Sequence, residues 1–277
     1  MPNEGVPEGG PGFGAAIAAS RAMLLTGLLI PFAGTLLGAA AVFLLRGGLP
    51  ASWQRLLLGF AAGVMTAASV WSLLLPALAL AAPLPAWLPA AAGFGGGVGF
   101  LLLLDRLIPH LHLHAAEAEG PPVRLARTTK LLLAVTLHNI PEGMAVGVVL
   151  AGAMQGAGGI PLAGATALAL GIAIQNVPEG AIVSLPMRAG GSSRRCAFAW
   201  GAASGAVEPL TGLATMLLID RMLPLLPWLL AFAAGAMLYV VVEELIPEAQ
   251  QGASSDIATV GFAAGFVLMM VLDVTLG

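Results

Sequence analysis

The sequence has very little charge. Only 9% of its 277 residues are Asp, Glu, Lys or Arg, while 58% belong to the hydrophobic set AVILMFWYC, and the mean hydropathy is +0.95. An ordinary water-soluble domain carries about 25% charged residues. A chain of this size with so few charged groups cannot cover itself with polar surface. This composition excludes a soluble enzyme, a nucleic-acid-binding protein and a disordered chain.

Cysteine and aromatic residues are also scarce. The single cysteine, Cys196, excludes a disulfide framework and any cysteine-based zinc site. Aromatic residues make up 6% of the chain, and segments of alternating polarity are missing, which argues against an outer-membrane barrel. Long apolar runs are present instead. The sequence therefore predicts an all-α membrane protein with several spans.

Apolar runs long enough to cross a bilayer recur along the chain. A spanning helix needs roughly 20 apolar residues. Eight such runs are predicted, near residues 23–45, 56–80, 87–108, 130–152, 162–187, 196–219, 227–248 and 257–276. Residues 1–22 are expected to form a flexible tail, since their acidic, Pro/Gly-rich start lacks the basic region of a signal peptide. Residues 23–277 are expected to form one transmembrane domain, with a His-containing loop at 109–129.

The basic residues predict the orientation of the bundle. Two of them, Arg21 and Arg221, fall on one side of the eight predicted spans. Nine fall on the other side: Arg46, Arg55, Arg106, Arg124, Arg127, Lys130, Arg188, Arg194 and Arg195. Because an excess of Lys and Arg marks cytoplasmic loops, we expect a cell (inner) membrane protein with both termini outside the cytoplasm.

Two neighbouring spans carry the same polar phrase near their centres. The fourth span contains HNIPEG and the fifth contains QNVPEG. The polar side chains of the two phrases are His138, Asn139, Glu142, Gln175, Asn176 and Glu179. Polar and ionisable groups in mid-membrane are expensive and are usually functional. Since consecutive spans run antiparallel, the duplication predicts an internal inverted repeat whose halves face one cavity at the midplane.

The spacing within each phrase is that of a metal site. His138 and Glu142 are four residues apart, as are Gln175 and Glu179, so each pair lies on one helix face. An imidazole nitrogen combined with carboxylate and amide oxygens suits a divalent transition metal, Zn²⁺ foremost. Without the histidine, the oxygens alone would favour Ca²⁺ or Mg²⁺.

Prolines and a third carboxylate strengthen this prediction. Pro141 and Pro178 each remove a helix hydrogen bond beside the polar groups, so we expect kinks that widen the bundle there. Glu208 lies near the centre of the sixth span and precedes Pro209. Three carboxylates meeting at low dielectric repel one another, so they must take up protons or a multivalent cation.

A second group of polar residues lies nearer the predicted cytoplasmic face. It is a candidate exit path for an ion, and its members are Asp105, His110, His112, His114, Glu243 and Glu244. The histidines stand in the loop after the third span, and a short His-rich tract binds metal weakly. Asp273, near the end of the last span, is expected to be interfacial.

The motifs HNIPEG at 138–143, QNVPEG at 175–180, EP at 208–209 and EELIPE at 243–248 resemble those of the ZIP family of divalent-metal transporters, most closely its prokaryotic GufA-like branch. The resemblance implies that the chain moves Zn²⁺, or else Cd²⁺, Fe²⁺ or Mn²⁺, into the cytoplasm with no resident cofactor. It also implies a fold of two helical bundles that slide or rock against each other in the lipid bilayer. A homodimer is left open.

The resemblance further implies a binuclear site. The first metal site would comprise His138, Glu142, Gln175 and Glu179. The second would comprise Asn139, Asn176 and Glu208, with Glu142 and Glu179 bridging. Two positions depart from patterns of close relatives: Asn176 stands where some have aspartate, which removes a negative charge, and Glu243 stands where some have histidine, which makes an exit site more acidic.

Two alternative functions stay open on the sequence alone. The same carboxylates suit a proton-coupled exchanger or efflux protein, because the chemistry of a site does not fix the direction of transport. An intramembrane metalloenzyme is the weaker alternative, since the HExxH pair is absent and only His138 lies within a span. We therefore expect a transporter and not an enzyme.

Overall fold

Helices account for nearly all of the chain that the structure describes. The structure is a computed structural model, and it describes residues 11–45, 49–108, 127–156, 160–221, 223–252 and 256–276. Within these residues no strand occurs, and eight helices are long and apolar enough to span a membrane. The predicted all-α, eight-span class is therefore confirmed.

The eight spanning helices are numbered α1 to α8. α1 runs over Pro11–Ala39 and continues as Ala41–Leu44, and α2 combines Ala51–Ala68, Ser69–Leu74 and Leu75–Ala79. α3 is Trp87–Leu107, α4 is Arg127–Met154, and α5 is Leu162–Ala189. α6 comprises Arg194–Gly205 and Val207–Arg221. α7 follows a 3₁₀ turn at Leu223–Leu225 and comprises Leu226–Val240, Val241–Leu245 and Ile246–Ala249, while α8 is Ile257–Leu276.

The first helix begins earlier than the sequence predicts. α1 starts at Pro11, within the segment 1–22 that was expected to be a tail. Residues 14–19 read GAAIAA and carry no charge, and alanine is the strongest helix former. Local propensity thus extends the helix well before the predicted span.

The eight helices divide into two groups by their packing. α1 packs most extensively on α5 and α4 on α6, and these four form the first bundle. α2 packs most extensively on α8 and α3 on α7, and these four form the second bundle. The groups meet mainly where α4 touches α7 and where α5 touches α2 and α8.

Glycines allow the helices within each bundle to approach closely. A Cβ atom at Gly34 of α1 would fall against the backbone carbonyl of Ala173 in α5. In the second bundle, a Cβ at Gly97 of α3 would fall against the carbonyl of Phe232 in α7. Small residues drive such packing in lipid, where no hydrophobic force brings helices together.

Two spans contain a widened, π-helical turn followed by a proline. In α2 the π turn covers Ser69–Leu74 and precedes Pro76, and in α7 it covers Val241–Leu245 and precedes Pro247. Because proline has no N–H, the helix cannot form its usual hydrogen bond at that point. By contrast, α4 and α5 pass through Pro141 and Pro178 as continuous helices, and the kinks expected there stay a prediction.

Candidate metal site

The polar groups singled out in the three central spans are all inside the protein. α4 supplies three of them, α5 three and α6 one, and none is more than 8% exposed. They are His138, Asn139, Glu142, Gln175, Asn176, Glu179 and Glu208. A continuous helix with this spacing turns the members of each phrase toward the same neighbours, so the buried groups meet inside the first bundle.

Glu142 lies at the centre of the cluster. Its Oε1 accepts a hydrogen bond of 2.6 Å from Nε2 of Gln175, which joins α4 to α5. Glu142 also interacts electrostatically with Glu179 and Glu208, and with the amide of Asn176. The structure therefore brings together the two repeated phrases and the carboxylate of α6, as the sequence predicts.

His138 makes the polar contact between the two bundles. Its Nε2 forms an ion-pair contact with Oε1 of Glu244, a buried residue in the π turn of α7. Glu179 interacts electrostatically with both. The sequence placed Glu244 on an exit path near the cytoplasmic face, whereas the structure places it against His138. The π turn inserts an extra residue into α7, which helical periodicity cannot reveal.

Helix α1 contributes contacts that the sequence did not predict. Thr35 donates a 2.8 Å hydrogen bond from Oγ1 to Oε1 of Glu208. The carbonyl of Pro31 accepts from Nδ2 of Asn176 at 3.5 Å. Neither residue belongs to a repeated motif, although Pro31 lies inside a helix and Thr35 is a polar residue within a long apolar run.

Six of the buried cluster's side chains each leave one oxygen atom without a hydrogen-bond partner. These atoms are Oδ1 of Asn139 and Asn176, Oε1 of Gln175, and Oε2 of Glu142, Glu179 and Glu208. An unpaired buried acceptor is costly, so such atoms point to a ligand that they coordinate. Within the described residues, no three His, Cys, Asp or Glu side chains are already arranged around one point for a metal ion. The available acceptors are instead shared between carboxylates and carboxamides.

Three of the exit-path carboxylates, Asp105, Glu243 and Glu244, interact electrostatically with Tyr239 of α7. Asp105 of α3 is buried and accepts a hydrogen bond from the hydroxyl of Tyr239 in α7, whereas Glu243 is exposed. The three histidines at 110, 112 and 114 lie outside the described residues. Asp273, expected to be interfacial, is buried and accepts a 2.5 Å hydrogen bond from Ser72 of α2. Packing of α8 on α2 encloses the carboxylate, and its position at the membrane interface stays a prediction.

Comparison with known proteins identifies the family. The family model described as ZIP Zinc transporter matches residues 112–273, which include both repeated phrases, Glu208 and the acidic pair of α7. This chain belongs to the ZIP family. The GufA-like branch suggested by the motifs is supported by 39% identity to Zinc transporter GufA of Myxococcus xanthus, over 75% of this chain and 81% of that protein.

Two further relatives extend the match over nearly the whole ZIP chain. Zinc transporter ZIPB of Bordetella bronchiseptica is 42% identical over 89% of this chain and 79% of its own. Zinc transporter ZIP11 of Homo sapiens is 36% identical over 91% of this chain and 97% of its own. The family is one of multi-pass membrane proteins, in agreement with the eight spanning helices of this ZIP chain.

Proposed function

We propose that this chain carries divalent transition-metal ions, zinc foremost, across the membrane into the cytoplasm. The observation that carries the proposal is the set of six buried oxygens without hydrogen-bond partners, which α4, α5 and α6 bring into one connected cluster. Such a cluster would be unfavourable without a cation, because its carboxylates repel one another in a medium of low dielectric. Membership of a family of zinc transporters supports the same cargo.

The proposed ligands fall into two adjoining sites. His138, Glu142, Gln175 and Glu179 would hold the first ion, in which the imidazole nitrogen favours zinc over harder cations. Asn139, Asn176 and Glu208 would hold a second ion through oxygen alone. Glu142 and Glu179 each have two oxygens and would bridge the two ions. Binding requires deprotonated carboxylates, so an arriving dication displaces any protons held there.

The inward direction of transport rests on charge distribution and on the acidic residues beyond the site. Glu244, in contact with His138, is the first acceptor available to an ion leaving the first site toward α7. Asp105, Glu243 and the histidines of the loop at 109–129 would follow. The excess of Lys and Arg on the same side marks it as cytoplasmic. The ion would leave when the first bundle, with its ligands, moves relative to the second.

Zinc flux into sealed liposomes tests the proposal. The purified chain is reconstituted with a zinc-sensitive dye trapped inside, and external zinc is added. We expect the wild type to accumulate zinc and Glu179→Ala to fall to the level of protein-free liposomes. The matched control is Thr215→Val, because Thr215 is also buried in the first bundle but its hydroxyl bonds only to the backbone carbonyl of Thr211.

The same preparation separates the alternatives. Full zinc uptake by Glu179→Ala would contradict the shared-ligand model. Zinc that moves only when a proton gradient is imposed, in exchange for protons and opposite in direction to the uptake expected above, would show an exchanger or efflux protein instead. Competition by Cd²⁺, Fe²⁺ and Mn²⁺ in the same liposomes ranks the cargo ions.

A further inference from the structure

Two residues of helix α1 form hydrogen bonds with side chains of the second proposed metal site. Pro31 and Thr35 are four residues apart and therefore lie on one face of α1. That face meets Asn176 of α5 and Glu208 of α6, which are two of the three side chains proposed for the second ion. The sequence offered no reason to include α1 in the site.

The contacts leave each of these side chains with one oxygen available. Nδ2 of Asn176 is directed to the carbonyl of Pro31, and its Oδ1 has no hydrogen-bond partner. Asn139 shows the same pattern, since its Nδ2 donates to the carbonyl of Ser204 at 3.0 Å and its Oδ1 is unpartnered. An amide whose NH₂ group is held by a carbonyl must present its oxygen on the other side.

A carboxylate has no hydrogen-bond donor of its own, so one oxygen of Glu208 must be held by a donor from another residue. Thr35 supplies one, and its hydroxyl occupies Oε1 of Glu208 while Oε2 stays buried and unpartnered. Both residues are at most 1% exposed, so water does not compete for this hydrogen bond. Glu208 lies in the first turn after the interruption of α6 at Ala206.

Thr35 itself has little freedom to move. A Cβ atom at Gly205 of α6 would fall 2.7 Å from the Cβ of Thr35, and a Cβ at Gly180 of α5 would fall against its backbone carbonyl. The two glycines therefore bring α5 and α6 into direct contact with this residue. A hydroxyl held in this way can fix the orientation of the carboxylate that it contacts.

We propose that Thr35 is a positioning residue that orients Glu208 toward the second ion by binding its other carboxylate oxygen. The inference rests on the proposed function, since it takes Glu208 to be a ligand. Groups that orient a metal ligand reduce the ordering cost of binding, and their loss typically weakens metal affinity by 10- to 100-fold. Thr35 touches the ligand and not the ion, so the effect should appear in affinity.

The test uses a set of variants of the full-length chain in liposomes and in detergent. Thr35→Val keeps the shape of the side chain and removes the hydroxyl, whereas Thr35→Ser keeps the hydroxyl. Thr35→Ala is a second hydroxyl-free variant should the valine not pack, and Thr215→Val is the control for loss of a buried threonine hydroxyl in the same bundle. Glu208→Ala alone and combined with Thr35→Val completes a double-mutant cycle.

We expect Thr35→Val to raise the zinc concentration for half-maximal uptake by roughly tenfold, within the range for groups that orient a metal ligand. Thr35→Ser should stay within about twofold of the wild type, as a variant that keeps the orienting hydroxyl, and Thr215→Val should not change. In the Glu208→Ala background, Thr35→Val should have no further effect. A Thr35→Val protein with wild-type zinc dependence, or one whose defect persists in full without Glu208, would overturn the inference.

Zinc binding in detergent distinguishes failure of this inference from failure of the proposed function. A ligand that binds only the folded state raises the melting temperature. If the wild type moves no zinc but is stabilised by it, transport is wrong, and a weaker stabilisation of Thr35→Val than of Thr35→Ser still supports the positioning role. Equal stabilisation of those two variants refutes it. A wild type that neither moves nor binds zinc overturns both proposals.

Discussion

The two bundles share close helix packing at glycines but differ in the number of polar side chains that they bury. In both, helix pairs approach through glycines that meet carbonyl groups of the partner, as at Gly34 and Gly97. Yet eleven of the sixteen buried polar or charged side chains in the described residues lie in the first bundle. Seven of them are the candidate site residues of α4, α5 and α6, which include the three interacting carboxylates Glu142, Glu179 and Glu208. In the second bundle the buried aspartates are separate, and each accepts a hydrogen bond from one hydroxyl.

The difference shows that close helix packing and the polar site are independent features. Small residues set how near the helices lie, and they do so in both bundles. The polar side chains of α4, α5 and α6 add a cost that packing does not explain, and under the proposed function a bound cation would offset it. The second bundle reaches the cluster through Glu244, which contacts His138 and interacts electrostatically with Glu179.

Replacing a glycine at a close helix–helix contact by a larger residue should have the largest effect on stability, and the effect should be similar in both bundles. We expect Gly34→Val and Gly97→Val each to destabilise the fold by about 3 kcal/mol, because a backbone carbonyl cannot move aside as a side chain can. The matched control is Gly99→Val in α3, since a Cβ there meets nothing within 4 Å. Yield and melting temperature in detergent report the result, and a Gly99→Val protein as unstable as Gly97→Val would show that packing is not the cause.

Removing the central carboxylate should abolish transport without loss of the fold. We expect Glu142→Ala to reduce zinc uptake to the background of protein-free liposomes while the protein still shows a cooperative melting transition, since loss of a repelling buried charge offsets part of the cost of losing the hydrogen bond from Gln175. Ser69→Ala in α2 is the control from the second bundle, because Ser69 is fully buried and its hydroxyl bonds only to the carbonyl of Met65. Equal loss of uptake in both variants would mean that the first bundle is no more important for transport than the second.

Replacing the histidine between the bundles should change selectivity more than rate. We expect His138→Ala to raise the half-saturating zinc concentration by about tenfold, equivalent to about 1.4 kcal/mol. The preference for Zn²⁺ over Mn²⁺ should narrow as well, because the ligands that remain offer oxygen alone. Competition uptake measures both quantities. An unchanged metal preference would mean that His138 serves only to contact Glu244.

The smallest effect is expected for the three histidines of the predicted loop at 109–129. Replacing His110, His112 and His114 together by alanine should change zinc uptake by no more than about twofold, since a short His-rich tract binds metal weakly. The initial rate of dye response in liposomes is the measurement. Disappearance of uptake would place the loop within the essential path.

Much of the fold and part of the site could be predicted from the sequence. The number of spans follows from hydropathy, and the meeting of Glu142 with Gln175 and Glu179 follows from a duplicated spacing on adjacent antiparallel helices. Periodicity describes one helix at a time, however. The contact of Thr35 with Glu208 joins residues 173 positions apart, and no spacing rule predicts which helices become neighbours.

The position of Glu244 shows a second limit of the sequence. Helical periodicity assumes 3.6 residues per turn, and the π turn at Val241–Leu245 departs from it. Pro247 gave a local signal, but a proline can produce either a kink or a widened turn. The contact of Glu244 with His138 depends on how α7 packs on α4, which the sequence of a single helix does not determine.

The two π turns also affect whether the residues around them can rotate about the helix axis. An extra residue in a helix can migrate along it when successive N–H groups exchange one carbonyl acceptor for the next. Pro76 and Pro247 have no N–H to exchange, so neither insertion can pass them toward the C-terminal end of its helix. The prolines therefore set a C-terminal limit to any shift of the turns that contain Ser72 and Glu244.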